Sequence, residues 1–208
     1  MTSFQTPIGA VLLAAGEASR FGTAKQLLVI DAEPMARRMA LAALAAGLSP
    51  VIVVTGARHD HVAASLGGLD VHIVRHEDWS SGMGGSLAAG VRAIVQRVPS
   101  LSSLLVVLAD QPSVGAAELK AMLQAYAGGA GRILAASYDG HRGPPCLFPR
   151  FFFDELAALR GPRGARSLLE KYADRVDAHD LPAASFDIDT PTDHARWLAA
   201  RRGELPER

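Results

Sequence analysis

The sequence has a single cysteine, Cys146, few aromatic residues and no charge imbalance, and each scarcity excludes something. One cysteine rules out an internal disulfide and agrees with a reducing compartment. Twenty-one basic residues face 21 acidic ones, so no basic field is available for a nucleic acid and no polybasic stretch for anionic lipid. Charge is local here, and binding is expected to be local too. The start, Met1-Thr-Ser-Phe-Gln-Thr-Pro7, lacks a basic region followed by an apolar one, so no signal peptide is expected. Apolar runs last about five to seven residues, against the roughly 20 that a membrane span needs. These absences predict a soluble cytoplasmic protein. With 208 residues, 49% of them hydrophobic, one globular domain can bury a sizeable core.

What is present alternates. Ile8–Leu13, Val51–Thr55, Val71–Val74, Leu104–Ala109 and Ile133–Ala136 are short continuous apolar runs, read as buried strands. Between them, Met35, Met39, Leu41 and Leu44 predict a helix stopped at Gly47. Leu87, Val91, Ile94 and Val95 predict a second, and Leu119, Met122, Leu123 and Tyr126 a third. Uninterrupted Val/Leu/Ile strands separated by helices predict a three-layer α/β/α sandwich on a mostly parallel, Rossmann-like sheet. In such sheets ligands bind beyond the carboxyl ends of the strands.

Several chemistry-bearing residues fall at those ends. The stretch Val11-Leu-Leu-Ala-Ala-Gly-Glu-Ala-Ser-Arg20-Phe-Gly-Thr-Ala-Lys25 turns an apolar strand into a small-residue loop followed by two cations. Gly16 and Gly22 let the main chain approach bound oxygens, and Arg20 and Lys25 bring positive charge, a suitable cradle for polyphosphate. The loop is neither a Walker loop nor a dinucleotide fingerprint, because its glycine spacing fits neither and position 18 is alanine. Asp110 closes the most hydrophobic strand, either as a turn or cap residue or as a carboxylate for Mg2+. In Phe186-Asp-Ile-Asp-Thr-Pro191 an extended chain puts Asp187 and Asp189 on one face, so that one of them could join Asp110 on a metal. His59, His61, His72 and His76 lack ligand spacing and are read as solvated. Cys146 is read as a buried or pocket-wall thiol, and Trp79 as a packing or a base-stacking residue.

Leu13-Ala-Ala-Gly16…Arg20-Phe-Gly22…Lys25, Gly82-Met83…Ser86-Leu87, Ala109-Asp-Gln-Pro112, Arg142-Gly-Pro-Pro-Cys-Leu-Phe148, Gly164-Ala-Arg-Ser-Leu-Leu169 and Asp187-Ile-Asp-Thr-Pro-Thr-Asp193 occur in this order. Together they resemble the MobA-like nucleotidyltransferases, most closely the molybdenum cofactor cytidylyltransferase branch. The resemblance runs from about residue 8 to 199 and implies the nucleotide-diphospho-sugar transferase type of fold. It implies one domain over 1–208, with a nucleotide-binding part near 8–112 and an acceptor-binding part near 113–199.

The resemblance implies transfer of CMP from CTP to a phosphomonoester, with release of pyrophosphate. Leu-Ala-Ala-Gly, with Ala15, is the form associated with CTP. Leu13, Ala14, Ala15, Gly16 and Lys25 would bind the nucleotide, with Thr55, Gly56, Gly82 and Ser86 around base and ribose. Arg142, Gly143 and Pro145, and the block at 164–169, would face a molybdopterin-type acceptor. Arg20, Lys25 and Asp110 would be catalytic, and Asp110 with Asp189 would hold Mg2+. A recipient molybdenum enzyme would take the product. Sugar or polyol phosphates are alternative acceptors, and a non-catalytic cofactor carrier is an alternative class. Gly84-Gly85 stands where the family usually has serine-rich residues, which removes possible hydroxyl contacts to the nucleotide and loosens the helix start. Pro144 beside Pro145 stiffens the acceptor loop.

Overall fold

A computed structural model describes residues 7–17, 24–126 and 131–202. Its centre is a seven-stranded sheet: β1 (Ile8–Ala14), β4 (Val51–Thr55), β5 (His72–Arg75), β6 (Ser103–Leu108), β7 (Ile133–Tyr138), β8 (His141–Pro149) and β9 (Val176–Asp180), in the order β5-β4-β1-β6-β8-β7-β9. A two-stranded hairpin, β2 (Val29–Ile30) and β3 (Glu33–Pro34), stands apart from it. The expected α/β sandwich is present, because every central strand is apolar on both faces. Ala10, Leu12 and Ala14 of β1 face one buried cluster, while Val11, Leu13 and Ala15 face the other.

The first cluster is covered by α1 (Met35–Ala45), α2 (His59–Ser65) and α4 (Ala116–Ala125). The second is covered by α3 (Met83–Arg97), α5 (Phe153–Ala157) and α6 (Arg166–Lys171). Each fully buried Leu or Val contributes about 1.5–3 kcal/mol, so these two clusters hold the layers together. Gly90 sets the helix-to-sheet distance on one side. A Cβ there would come within 2.5 Å of the Val11 side chain, so α3 sits closer to β1 and β4 than any larger residue permits. Gly47, at φ +87°, ends α1 where the sequence predicts the stop.

β1, β4, β5 and β6 are parallel, whereas β8 runs antiparallel to both β6 and β7. The sequence predicts no strand at β8, where the resemblance implies acceptor contacts by Arg142, Gly143 and Pro145. Its local signal is Asp139-Gly140, both with positive φ (49° and 73°), a two-residue hairpin turn that sends the chain straight back. The edge strand β9 is polar, Val-Asp-Ala-His-Asp, and lacks the apolar run by which the others are recognised.

A third, smaller cluster positions the site. Ile30 and Met35 pack with Ile188 and with Trp197 of α7 (Pro191–Arg201), clamping the segment before α7 against the hairpin region. Thr190 caps α7 by accepting from the Asp193 N–H at 3.2 Å, while Asp193 accepts from the Thr190 N–H at 2.8 Å. Asp193 therefore starts a helix.

Candidate active site

The carboxyl ends of β1 and β6 open into a cavity of about 420 Å³, walled by Leu13 to Glu17, Leu108 to Asp110, Lys25 and Gln26. Trp79, Ser80, Gly82, Met83, Ser86 and Pro162 complete it. The small residues of the first loop are what make it concave. Gln26, only 3% exposed, braces that loop by donating from Nε2 to the Gly16 carbonyl at 2.5 Å.

Charge is concentrated at one end. Lys25 Nζ donates to Asp110 Oδ2 at 2.7 Å and to Asp189 Oδ1 at 2.6 Å, bridging residues 85 and 164 positions away in the chain. Ile188 N–H donates to the Asp110 carbonyl at 3.0 Å, which brings the 187–189 segment beside the end of β6. Ile188 is buried and turns Asp187 and Asp189 outward together, as an extended chain requires. Burial works to lower the Lys25 pKa, but the Asp110 and Asp189 carboxylates outweigh it and hold the ammonium above its ordinary value. Asp187 loses hydration against the site and then feels the Asp110 and Asp189 charges, which together push it up to about 7. One ammonium thus faces three carboxyl groups.

Asp110 Oδ1 is buried and has no hydrogen-bond partner among the described residues. An orphaned carboxylate oxygen beside further carboxylates is a donor set for a hard divalent cation, which takes one or two carboxylates plus phosphate oxygens. Among the described residues no group of three or more His, Cys, Asp or Glu side chains forms a ready-made metal cage, and the Lys25 ammonium lies between Asp110 and Asp189.

The other end of the cavity is uncharged. Ser86, 3% exposed, and Gly82 begin α3, and Trp79 lies over Gly56, where a Cβ would come within 2.8 Å of the indole ring and would also meet the Ala15 carbonyl. Trp79, left between packing and stacking by the sequence, is on the cavity wall. Thr55 departs from its expected place around the base. It is fully buried, and its hydroxyl is engaged by His59 Nδ1 at 2.7 Å and the Val74 carbonyl at 3.3 Å, behind the wall.

The glycine pair also does something the sequence reading did not foresee. Gly84 abuts the backbone of Arg160 and Gly161, with a Cβ position only 2.6 Å from the Arg160 carbonyl oxygen, and its N–H donates to the Gly161 carbonyl at 2.8 Å. Gly85 abuts His76. Neither points into the cavity, so serines there would meet protein, and the helix start is fastened rather than loosened. That contact also delivers Pro162 to the cavity wall.

Arg142, Gly143 and Pro145 lie on β8, outside this cavity. Arg142 is exposed and donates to the Ala173 carbonyl at 3.3 Å, while Gly143 and Pro145 are buried. In the 164–169 block, Ala165, Leu168 and Leu169 belong to the second core cluster, and Gly164 (φ +50°) packs against Met83. That block supports the wall from behind instead of facing a ligand. Cys146 is fully buried in β8, and burial pushes its thiol up, away from nucleophilic use. Arg20, with Phe21 and Gly22, lies outside the described residues. The sequence assigns Gln111 no role, although it stands in the Ala109-Asp-Gln-Pro112 block beside Asp110.

The chain is 32% identical over 199 residues to the nicotine blue oxidoreductase of Paenarthrobacter nicotinovorans, covering 90% of this chain and 95% of that protein. It is 28% identical over 200 residues to the purine catabolism protein PucB of Bacillus subtilis, covering 88% and 92%. Among solved structures, Rv0371c from Mycobacterium tuberculosis superposes with a TM-score of 0.77 at 30% identity, covering 93% of this chain and 98% of that one. A manganese complex of Rv0371c superposes at 0.73 with 28% identity, covering 94% and 100%. The sequence profile of the MobA-like NTP transferase domain matches residues 10–176, and by that match over most of its length the chain belongs to the MobA-like NTP transferase family and is an enzyme of the nucleotidyltransferase class.

Proposed function

We propose that the protein transfers CMP from CTP to the terminal phosphate of a molybdopterin-type cofactor, with Mg2+ and with release of pyrophosphate. The observation that carries this reading is Lys25 held between Asp110 and Asp189 at the charged end of a cavity whose other end is uncharged. The uncharged end suits a base and ribose, read by backbone amides and the Ser86 hydroxyl. Ala15 in Leu-Ala-Ala-Gly supports cytosine over guanine. The charged end suits the triphosphate.

An oxygen of the acceptor phosphate attacks the α-phosphorus of CTP, the bond from that phosphorus to the β-phosphate bridging oxygen breaks, and pyrophosphate departs with the electron pair. The attacking group has a second pKa of about 6, so near neutral pH it is already largely dianionic and no general base is needed. The protein's task is to bring two anions together and neutralise the charge that develops. Lys25 turns from the carboxylates to the triphosphate, and Arg20 assists. Asp110 and Asp189 would hold the cation, which supplies Lewis-acid neutralisation of the phosphate oxygens. A divalent ion is supported by the orphaned Asp110 Oδ1 and by the manganese complex of the M. tuberculosis relative. Arg142 on β8 marks the acceptor side, and a molybdenum enzyme in the cytoplasm would receive the product.

The decisive experiment measures pyrophosphate release with each NTP and Mg2+, with and without molybdopterin cofactor. Release with CTP that depends on the cofactor is the expected result. Release only with a sugar or polyol phosphate would move the acceptor, and tight nucleotide binding with no turnover would make the protein a carrier. The relative named as an oxidoreductase motivates one further arm. NAD(P)H consumption by this protein would overturn the transferase reading, since the charged cluster has no use in hydride transfer.

A further inference from the structure

Gln111 follows Asp110 and is 1% exposed. Both protons of its side-chain amide are used on distant backbone: Nε2 donates to the Pro144 carbonyl at 3.1 Å and to the Ala184 carbonyl at 3.0 Å. Pro144 lies where the β7–β8 register jumps from the Ala135–Cys146 pair to the Ala136–Gly143 pair, an excess of two residues on β8. Ala184 lies in the turn Pro182–Ser185, just ahead of Asp187. The next tie along that segment is the Ile188 N–H on the Asp110 carbonyl, so the two bonds fall on either side of Asp187. Gln111 is also close enough to Asp187 and Tyr138 to act on both groups. Its own carbonyl, Oε1, is buried without a protein partner among the described residues.

We propose that Gln111 is a positioning residue that fixes Asp189 at the separation from Asp110 that a divalent cation requires. The proposal rests on the divalent-cation reading given above. Without the amide, the 184–189 segment keeps one backbone bond to the end of β6, and its course then rests on the packing of Ala184 and Ile188 and on the Lys25–Asp189 ion pair, none of which fixes the carboxylate with the directionality of a hydrogen bond. With the amide, two anchor points and the β8 excess define its course. Cations such as Mg2+ and Mn2+ bind well only when their oxygen donors are placed within a few tenths of an ångström, and residues that orient the ligands typically change affinity by about 10–100-fold. The same amide holds the Pro144 carbonyl, so β8 and the segment that carries Asp189 share one brace.

The test titrates Mn2+, followed by electron paramagnetic resonance, into the full-length protein saturated with CTP. Wild type is compared with Gln111→Met, which fills the space without donors, and with Gln111→Asn, which keeps an amide on a shorter stem. CTP is titrated separately without metal. The expected result is Mn2+ binding weakened about tenfold or more in Q111M and less in Q111N. CTP binding without metal stays within about twofold, because the cavity wall does not include Gln111. General loosening of the fold would instead weaken CTP and Mn2+ together, which would overturn the positioning role. Mn2+ affinity in folded Q111M within about twofold of wild type would overturn it too. If Q111M does not fold, Q111N decides by the same criterion. Absence of saturable Mn2+ binding to wild type would overturn the divalent-cation reading and this proposal with it, whereas equal binding in all three proteins removes only the role of Gln111.

Discussion

Arg132, at the head of β7, meets Asp177 of β9 with the better-formed ion pair of the molecule: Nε reaches both carboxylate oxygens at 2.9 Å, and Nη2 reaches Oδ1 at 2.7 Å. Lys25 has only a point charge to share between Asp110 and Asp189. Geometry alone would rank the arginine pair first, but surroundings reverse the order. Arg132 and Asp177 are 41% and 52% exposed, where water and salt screen the attraction, and each partner has little to lose. Lys25 is 13% exposed beside Asp110 at 22%, and a third carboxyl, Asp187, crowds the same place. The first pair fastens an edge strand. The second is a concentration of unbalanced charge that a stability-optimised site would avoid, and its excess of carboxylates fits the divalent-cation site proposed above.

The contrast is broken most sharply by removing charge from each place in turn. Lys25→Met and Asp110→Asn are each expected to lower kcat for pyrophosphate release by about 100-fold or more, the scale of a single lost electrostatic contact in a transition state. A rate within a few-fold of wild type for either variant would mean that the cluster is structural. The same Lys25→Met change is expected to tighten Mn2+ binding to the nucleotide-free protein by about tenfold, because the ammonium no longer competes for the carboxylates. Calorimetric titration showing equal or weaker Mn2+ binding would contradict this.

A smaller effect separates Asp187 from its neighbours by pH. Its folded-state pKa is raised to about 7 from 3.8, so its contribution to stability is fully present below about pH 4 and is lost as pH rises through 7. Asp187→Asn is therefore expected to raise the melting temperature at pH 8 by about 1–2 °C, allowing for solvent screening, and to leave it unchanged near pH 4. A gain of equal size at both pH values would show that repulsion among the carboxylates is not its source. The least consequence is expected at the sheet edge. Arg132→Ala should leave kcat unchanged and cost less melting temperature than D187N gains, the difference fading at high salt. Loss of turnover in that variant would connect the edge to the site.

The parallel half of the molecule was legible because its strands are buried on both faces and announce themselves as apolar runs. In the other half only β7 announced itself in that way, as Ile133–Ala136. β8 interleaves arginine, glycine and prolines with its apolar residues, β9 is polar, and only Asp139-Gly140 marked the hairpin between β7 and β8. At the site, Lys25, Asp110 and the 187–189 segment stood out as charges at chain turns, and the structure brings them together. Gly84 and Gly85 misled, because a missing side chain in a sequence does not say whether ligand or protein occupies the space. Thr55 misled for a related reason: a polar residue at a strand end can turn inward and satisfy itself. The role of Gln111 was illegible, since its amide protons go to the carbonyls of Pro144 and Ala184, and backbone carbonyls carry no sequence signature.

The grip of Ile188 and Trp197 on the hairpin side has a consequence for how the protein comes into being. A chain made from its N-terminus presents Lys25 and Asp110 to the growing sheet long before Asp189, 164 positions after Lys25, leaves the ribosome. The sheet's parallel strands can form meanwhile, with the lysine and one aspartate waiting. Only when α7 emerges and packs Trp197 beside Ile30 does the second carboxylate arrive. Assembly of the charge cluster is thereby tied to α7, which follows every strand of the sheet, and a molecule halted before α7 has most of its core without the Lys25–Asp189 pair.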